Sequence, residues 1–320
     1  MKKYISIFLV IVLIYGLAPL YKVKEGKVVE IPAKVGYLGV VSILEKEDII
    51  GNTFQFFLYS LIQNGFARLK AGEYYFEKGL TEWDVISFLV EGKMLKHQIT
   101  IPEGYNLKDI AKELAKAKLA DEKEFLRIVK DRELIKQFNI PSSTMEGYLF
   151  PDTYFFTKGM SINDIVVKMH SRFKEKVGAA VNEKAKRRGL TLNEVIILAS
   201  IVEKETGKKE EKPVVASVFY NRLKIGMPLQ SDPTTIYGIK NFDGDLTKEN
   251  LRRKTPYNTY TFKGLPPSPI SNPGIDSINA VLNPAATDYL YFVSKNDGSH
   301  IFSRNYNQHN LAVTKYQKNL

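Results

Sequence analysis

The chain has 320 residues, 44% hydrophobic and 25% charged, so it can bury a real core and is too apolar for a disordered protein. It contains no cysteine, which excludes disulfides, thiolate nucleophiles and cysteine-based metal sites. The net charge of +11 suits an anionic surface or polymer, but the basic residues are scattered and no nucleic-acid motif accompanies them, so nucleic acid is not an expected partner.

Residues 1–3 read as a short cytoplasmic stub, with Lys2 and Lys3 ahead of a run without charge from Tyr4 to Tyr21. That run is at the short end of a membrane-spanning helix. Gly16 and Ala18 are followed at once by Pro19, a poor cleavage site, so an uncleaved single-pass anchor over residues 4–21 is expected rather than a signal peptide. The lysines before it place the N-terminus inside, although Lys22 and Lys24 pull the other way. The rest of the chain would then lie outside the cytoplasmic membrane.

Residues 22–96 read as an N-terminal α+β region. Val28–Ile31 forms a strand stopped by Pro32, and Leu38–Leu44 has helical character. Phe54, Phe57, Leu58, Leu61 and Ile62 follow the spacing of an amphipathic helix. Glu73–Phe76 is a short strand, and Thr81 opens a helix that Gly92 closes. Residues 97–157 read as a small module and a connector. The strand-Pro-x-Gly opening of "HQITIPEGYNLKDIAKELAK" resembles the earlier "VVEIPAKVG". Asn106 caps a helix whose apolar stripe is Leu107, Ile110, Ala111 and Leu114. This opening resembles a LysM module, a class that binds N-acetylglucosamine-containing glycans. "MEGYLFPDTYFF" is an aromatic-rich extended connector.

Residues 158–320 read as a mixed α+β catalytic domain, and the chain as a whole as α+β. Ser161 caps one helix; Thr191 and Glu194 form the capping box of another. From Val195 to Val202 this second helix has almost no polar face, which marks it as buried all round. Glu203 and Glu205 follow at its C-terminal end, where the helix dipole disfavours anions. Lys204, Lys208 and Lys209 could neutralise them. Residues two apart on a helix point about 200° apart, so the two cannot act together as an acid dyad, and spacing alone does not choose between them. Val214–Leu223 is a further apolar helix ending in Asn221 and Arg222. A turn-rich loop then carries Gln230, Asp232 and Tyr237. Pro256, Pro266, Pro267, Pro269 and Pro273 stiffen an extended wall bearing Asn258, Thr259, Tyr260, Ser268 and Asn272. Planar amides, hydroxyls and aromatic faces suit a sugar-binding cleft. His300 and His309 read as hydrogen-bonded structural residues rather than metal ligands.

"LASIVEKET", "ASVFYNRLKIGMPLQSDPTTIYG", "YNTYTFKGLPPSPISNPG" and "YLYFV", in that order, resemble the endolytic murein transglycosylases of the YceG-like family. The resemblance runs from the N-terminal segment to the C-terminus. It implies a membrane-anchored lytic transglycosylase that cuts peptidoglycan strands between N-acetylmuramic acid and N-acetylglucosamine and leaves 1,6-anhydro ends, with no cofactor. It implies the first glutamate of "VEKET", Glu203, as the catalytic acid. Arg222, Gln230, Asp232, Tyr237, Asn258, Tyr260 and Asn272 are substrate-binding candidates. It also implies peptidoglycan strands and the cytoplasmic membrane as partners, with peptidoglycan synthases as further candidates. Two rival readings are a hydrolytic muramidase, with Asp232 activating water, and a non-catalytic glycan-binding scaffold of cell-wall synthesis. A serine hydrolase is disfavoured by the lack of a G-x-S-x-G elbow.

Overall fold

The computed structural model describes residues 21–240 and 242–318. The expected anchor over residues 4–21 lies outside the described residues except for Tyr21. Among the described residues no helix is long and apolar enough to cross a membrane. The described residues divide into two compact units, one of residues 21–98 with 155–160, the other of residues 99–154 with the described part of 161–318.

In the first unit, β1 (Lys27–Ile31) pairs antiparallel with β2 (Gly72–Phe76), Lys27 opposite Phe76 and Ile31 opposite Gly72. Two helices, α1 (Tyr37–Lys46) and α2 (Thr53–Ile62), connect them, and α3 (Glu82–Glu91) follows. The core is Val29, Ile31, Val40, Leu44, Phe56, Tyr74, Phe76, Val85, Ile86 and Leu89. The periodicity of α2 is misleading. Phe54, Phe57, Leu61 and Ile62 are exposed, while Gln55, Phe56 and Ser60 face inward. Hydrogen bonds make that inversion tolerable: Ser60 Oγ donates to the Phe56 carbonyl at 2.8 Å and accepts from Tyr37 at 3.0 Å, and Gln55 donates to Tyr59 at 3.0 Å.

The strands β3 (Lys96–Thr100) and β4 (Thr153–Thr157) pair with each other and carry the chain out of the first unit and back. Residues 97–157 are shared between the two units. Most of them belong to the second unit, where α4 (Leu107–Lys116), α5 (Glu122–Ile128) and α6 (Arg132–Gln137) lie. The reason is backbone pairing with the proline-rich wall. Gly104 N–H donates to the Asn272 carbonyl at 2.9 Å, and Asn272 N–H to the Tyr105 carbonyl at 2.8 Å.

The long α7 (Ile162–Arg187) precedes α8 (Leu192–Glu205), the helix on which the second unit is built. Around α8 pack α7, α9 (Lys212–Lys224), the short α10 (Asp232–Tyr237) and α12 (Ile275–Leu282). Every residue from Val195 to Val202 is buried. The capping box forms as its pattern predicts, with Thr191 N–H on Glu194 Oε2 at 2.8 Å and Glu194 N–H on Thr191 Oγ1 at 3.2 Å. After α10 comes α11 (Lys248–Arg252). A hairpin of β5 (Tyr291–Ser294) and β6 (His300–Ser303), then α13 (Tyr306–Val313), complete the unit.

Candidate active site

The end of α8 sends its two glutamates to different places, as residues two apart on a helix must. Glu203 is enclosed. Its Oε1 accepts from Lys212 Nζ at 2.9 Å, and its Oε2 accepts from Gly274 N–H at 2.9 Å and Ser277 Oγ at 2.6 Å. The side chains of this ion pair are 7% and 5% exposed. Glu103 sits 3.7 Å from the same ammonium, and burial together with the Glu203 charge pushes its carboxyl up. The Glu103 carboxyl lies close over Gly274, where a Cβ would be 1.8 Å from it and would push that side chain aside. Three donors converge on Glu203, so the geometry favours an acceptor that locks α8 to the starts of α9 and α12.

Glu205 instead lines a cleft of about 440 Å³ with Arg222, Gln230, Asp232 and Tyr260 on one side and Tyr291, His300, Tyr306 and His309 on the other. Ser231 Oγ donates to Glu205 Oε1 at 2.5 Å. Burial, and then the Asp232 charge, pushes the Glu205 carboxyl up to about 7, although the Ser231 bond and the Arg222 charge act in the opposite sense. Asp232 accepts from Tyr260 OH at 2.6 Å. Gln230 carries a positive φ of 48°, a strained conformation for a side-chain-bearing residue. Two bonds hold that turn, Gln230 N–H to the Thr259 carbonyl and Ser231 N–H to Thr259 Oγ1, both 3.1 Å. A larger depression of about 880 Å³, beside Tyr220 and residues 284–289, has only the exposed Asp288 as a carboxyl.

Of the residues singled out by sequence, the fold brings Arg222, Gln230, Asp232 and Tyr260 to this cleft. Arg222 does not form an ion pair with Glu205. Its Nε donates to the Leu290 carbonyl at 2.7 Å and its Nη1 to the Leu229 carbonyl at 2.5 Å, which ties the hairpin to α9. Tyr237, Asn258 and Asn272 do not line the cleft. Asn258 is fully buried, its amide donating to the carbonyls of Asn250, Leu251 and Arg253 while Oδ1 accepts from Thr235 and from Tyr260 N–H. Tyr237 and Asn272 donate to Glu146 at 2.9 and 3.2 Å. Glu146 is buried and also accepts from Leu107 N–H; burial pushes its carboxyl up to about 8. Its loop needs Gly147, whose φ is +86° and whose Cβ would strike Pro269 at 2.6 Å.

Glu146 escaped the sequence reading, although an acid inside an aromatic run was a signal. Ser231, Tyr291 and Tyr306 escaped it for lack of any periodic or spacing cue. Of the two histidines, His300 meets Glu211 through Nδ1 at 2.7 Å. His309 stacks on Tyr291 at 5.2 Å, and its Nδ1 has no hydrogen-bond partner among the described residues. Burial, with the Arg222 charge, holds its imidazole below the usual range.

This architecture has relatives. The YceG-like family model matches residues 29–315. An endolytic murein transglycosylase of Bacillus subtilis is 35% identical over 307 residues, 90% of this chain and 84% of that protein. One of Streptococcus pneumoniae is 30% identical over 92% of this chain, which spans only 59% of that longer protein. The crystal structure of a putative YceG-like protein from Listeria monocytogenes superposes with a TM-score of 0.63 at 32% identity, covering 90% of this chain and 98% of that one.

Proposed function

The chain belongs to the YceG-like family, and from that premise we infer how its cleft works. The enzyme is an endolytic lytic transglycosylase of peptidoglycan. It breaks the bond between N-acetylmuramic acid and N-acetylglucosamine within glycan strands. Glu205, not Glu203, is the general acid. The observation that carries this assignment is the contrast between the two carboxyls. Glu205 opens on the cleft with one hydroxyl partner and a carboxyl raised to about 7, so it holds a proton near neutral pH. Glu203 accepts from three donors in an enclosed ion pair and does not line the cleft.

Ordinary glycosidases use two carboxyls, one of them to handle water or a covalent intermediate. Here one suffices. Glu205 gives its proton to the glycosidic oxygen as the C1–O bond breaks. The muramyl C6 hydroxyl then attacks C1, its proton returns to Glu205, and a 1,6-anhydro ring closes without consuming water. Asp232, accepting from Tyr260, offsets the positive charge that develops at C1. Aromatic rings of Tyr260, Tyr291 and Tyr306 give the sugar faces something to stack on. The test is product analysis by mass spectrometry. Wild type yields strands ending in anhydromuramic acid, one water lighter than a hydrolysis product, and E205Q forms them far more slowly. Reducing ends in place of anhydro ends overturn the reaction assignment.

The uncharged run of residues 4–21 supports a single-pass anchor in the cytoplasmic membrane, with the cleft outside and nascent strands near the membrane as the substrate to be released or terminated. Peptidoglycan synthases are the proposed partners. The LysM-like opening of residues 97–157 supports a second glycan contact beyond the cleft. Fractionation of cells with protease shaving tests the anchor; a chain found only in the soluble fraction overturns it.

A further inference from the structure

The first unit leaves one apolar face uncovered, and its place in the chain says what meets it. Helix α2 has no charged residue from Thr53 to Ile62. On its outer side Phe57, Leu61 and Ile62 are exposed, the last two by 51% and 70%. Phe57 meets the exposed Phe66 edge-on at 5.2 Å, and Phe66 meets Tyr37 at 4.5 Å, beside Leu38, which is 79% exposed. The three rings are in contact, and Leu61, one turn on from Phe57, extends the same side of α2 beside Ile62.

The chain enters this unit beside the start of α2. Tyr21 OH donates to the Asp48 carbonyl at 2.8 Å, and its ring lies so close over Gly51 that a Cβ there would be 2.1 Å away. Gly51 stands immediately before Asn52, the cap of α2. Tyr21 is also the last residue of the uncharged run. As a helix, residues 4–21 would reach about 27 Å, short of the roughly 30 Å hydrocarbon core. A short anchor draws its flanking residues down toward the headgroups. Lys22 and Lys24, the next cations, suit lipid phosphates, and Lys24 Nζ lies 5.8 Å from the Tyr21 ring centroid.

We propose that the patch of Leu38, Phe57, Leu61, Ile62 and Phe66 rests in the outer headgroup region of the membrane, so that the first unit is an interfacial foot and not a free-standing spacer. The proposal rests on residues 4–21 being an anchor. A surface on the helix that begins beside the anchor's exit lies close to lipid, and the lack of charge along that helix fits the acyl boundary.

The chain has no cysteine, so L61C or I62C offers a single thiol for an environment-sensitive fluorophore. Full-length protein is reconstituted in phosphatidylethanolamine–phosphatidylglycerol vesicles with lipids brominated high on the acyl chain. The label at position 61 or 62 is expected to shift to the blue and to lose at least half its emission to brominated lipid. A control label in the second unit, K184C, stays unchanged, and F57E added to the L61C protein abolishes the quenching while the protein still floats with the vesicles. Flotation with position-61 and position-62 labels that remain in water overturns the foot and leaves the anchor standing. Failure to float overturns both. Shielding that brominated lipid does not quench assigns the face to protein contact, with a second copy, a partner or the N-terminal segment, and also overturns the proposal.

Discussion

Replacing Glu203 and Glu205 one at a time by glutamine tests the proposal that the first carboxylate holds the fold and the second moves a proton. In E203Q the amide keeps a bond from Ser277 or Gly274 but no longer balances Lys212, whose side chain is only 5% exposed. Breaking a buried ion pair from one side costs about 3–5 kcal/mol. For a unit of this size each kcal/mol lowers Tm by about 2–4 °C, so E203Q should melt about 6–20 °C below wild type. Below its own melting point it should still produce anhydro ends. In E205Q the amide oxygen still accepts from Ser231, so Tm should move by no more than about 2 °C. Turnover should fall by about 10²–10⁴, the worth of a general acid, or about 3–5 kcal/mol of barrier. Scanning calorimetry reads the first quantity and mass spectrometry of digested glycan strands the second. An E203Q protein of wild-type Tm that makes no product, or an E205Q protein of wild-type turnover, would refute the assignment.

If Glu205 is the acid, as proposed, its protonated form is the working form, so kcat/KM should fall as pH rises through about 7, and that limb should vanish in the residual activity of E205Q. Glu146 and Glu205 have folded-state affinities for protons above their unfolded ones. The native state therefore binds more protons between pH ~4.5 and ~8, and stability should decline across that window as pH rises. Denaturant titrations at a series of pH values check this, and E146Q should flatten the slope. Y260F removes the bond to Asp232; a hydrogen bond to a charged group is worth about 1.5–3 kcal/mol, so kcat should drop about tenfold to a hundredfold with Tm nearly unchanged. N258A strips the partner from three loop carbonyls, and at about 1–3 kcal/mol for each acceptor left unsatisfied it should lower Tm by several degrees or more without altering product type.

Local pattern was enough where the chain interacts with itself over a few residues. The capping boxes at Thr81, Asn106 and Thr191 form because each side chain meets a backbone N–H three positions on. The run from Val195 to Val202, apolar except for Ser200, could only be a helix packed on every side. Pattern failed on α2, where the apolar stripe points outward and Ser60, held by Tyr37 from another helix and by the Phe56 carbonyl within its own, turns inward with Gln55 and Phe56. It also failed to separate cleft residues from their supports. Asn258 and Asn272 look like sugar-binding amides in sequence, yet both are buried among backbone carbonyls and Glu146.

The two glutamates at the end of α8 mark where each kind of information stops. The amino-acid sequence by itself determined that a buried helix ends in two carboxyls, that helical geometry turns them to opposite sides, and that the motifs around them are those of a glycan-cleaving family. Tertiary structure alone decided which side is which. Lys212, Ser277 and Gly274 close around Glu203 from α9 and the start of α12, while Ser231, the β5–β6 hairpin and α13 leave Glu205 facing a cleft. The physical reason is that a carboxyl's proton affinity depends on the donors, charges and solvent around it, and those neighbours lie as far as about a hundred residues away along the chain.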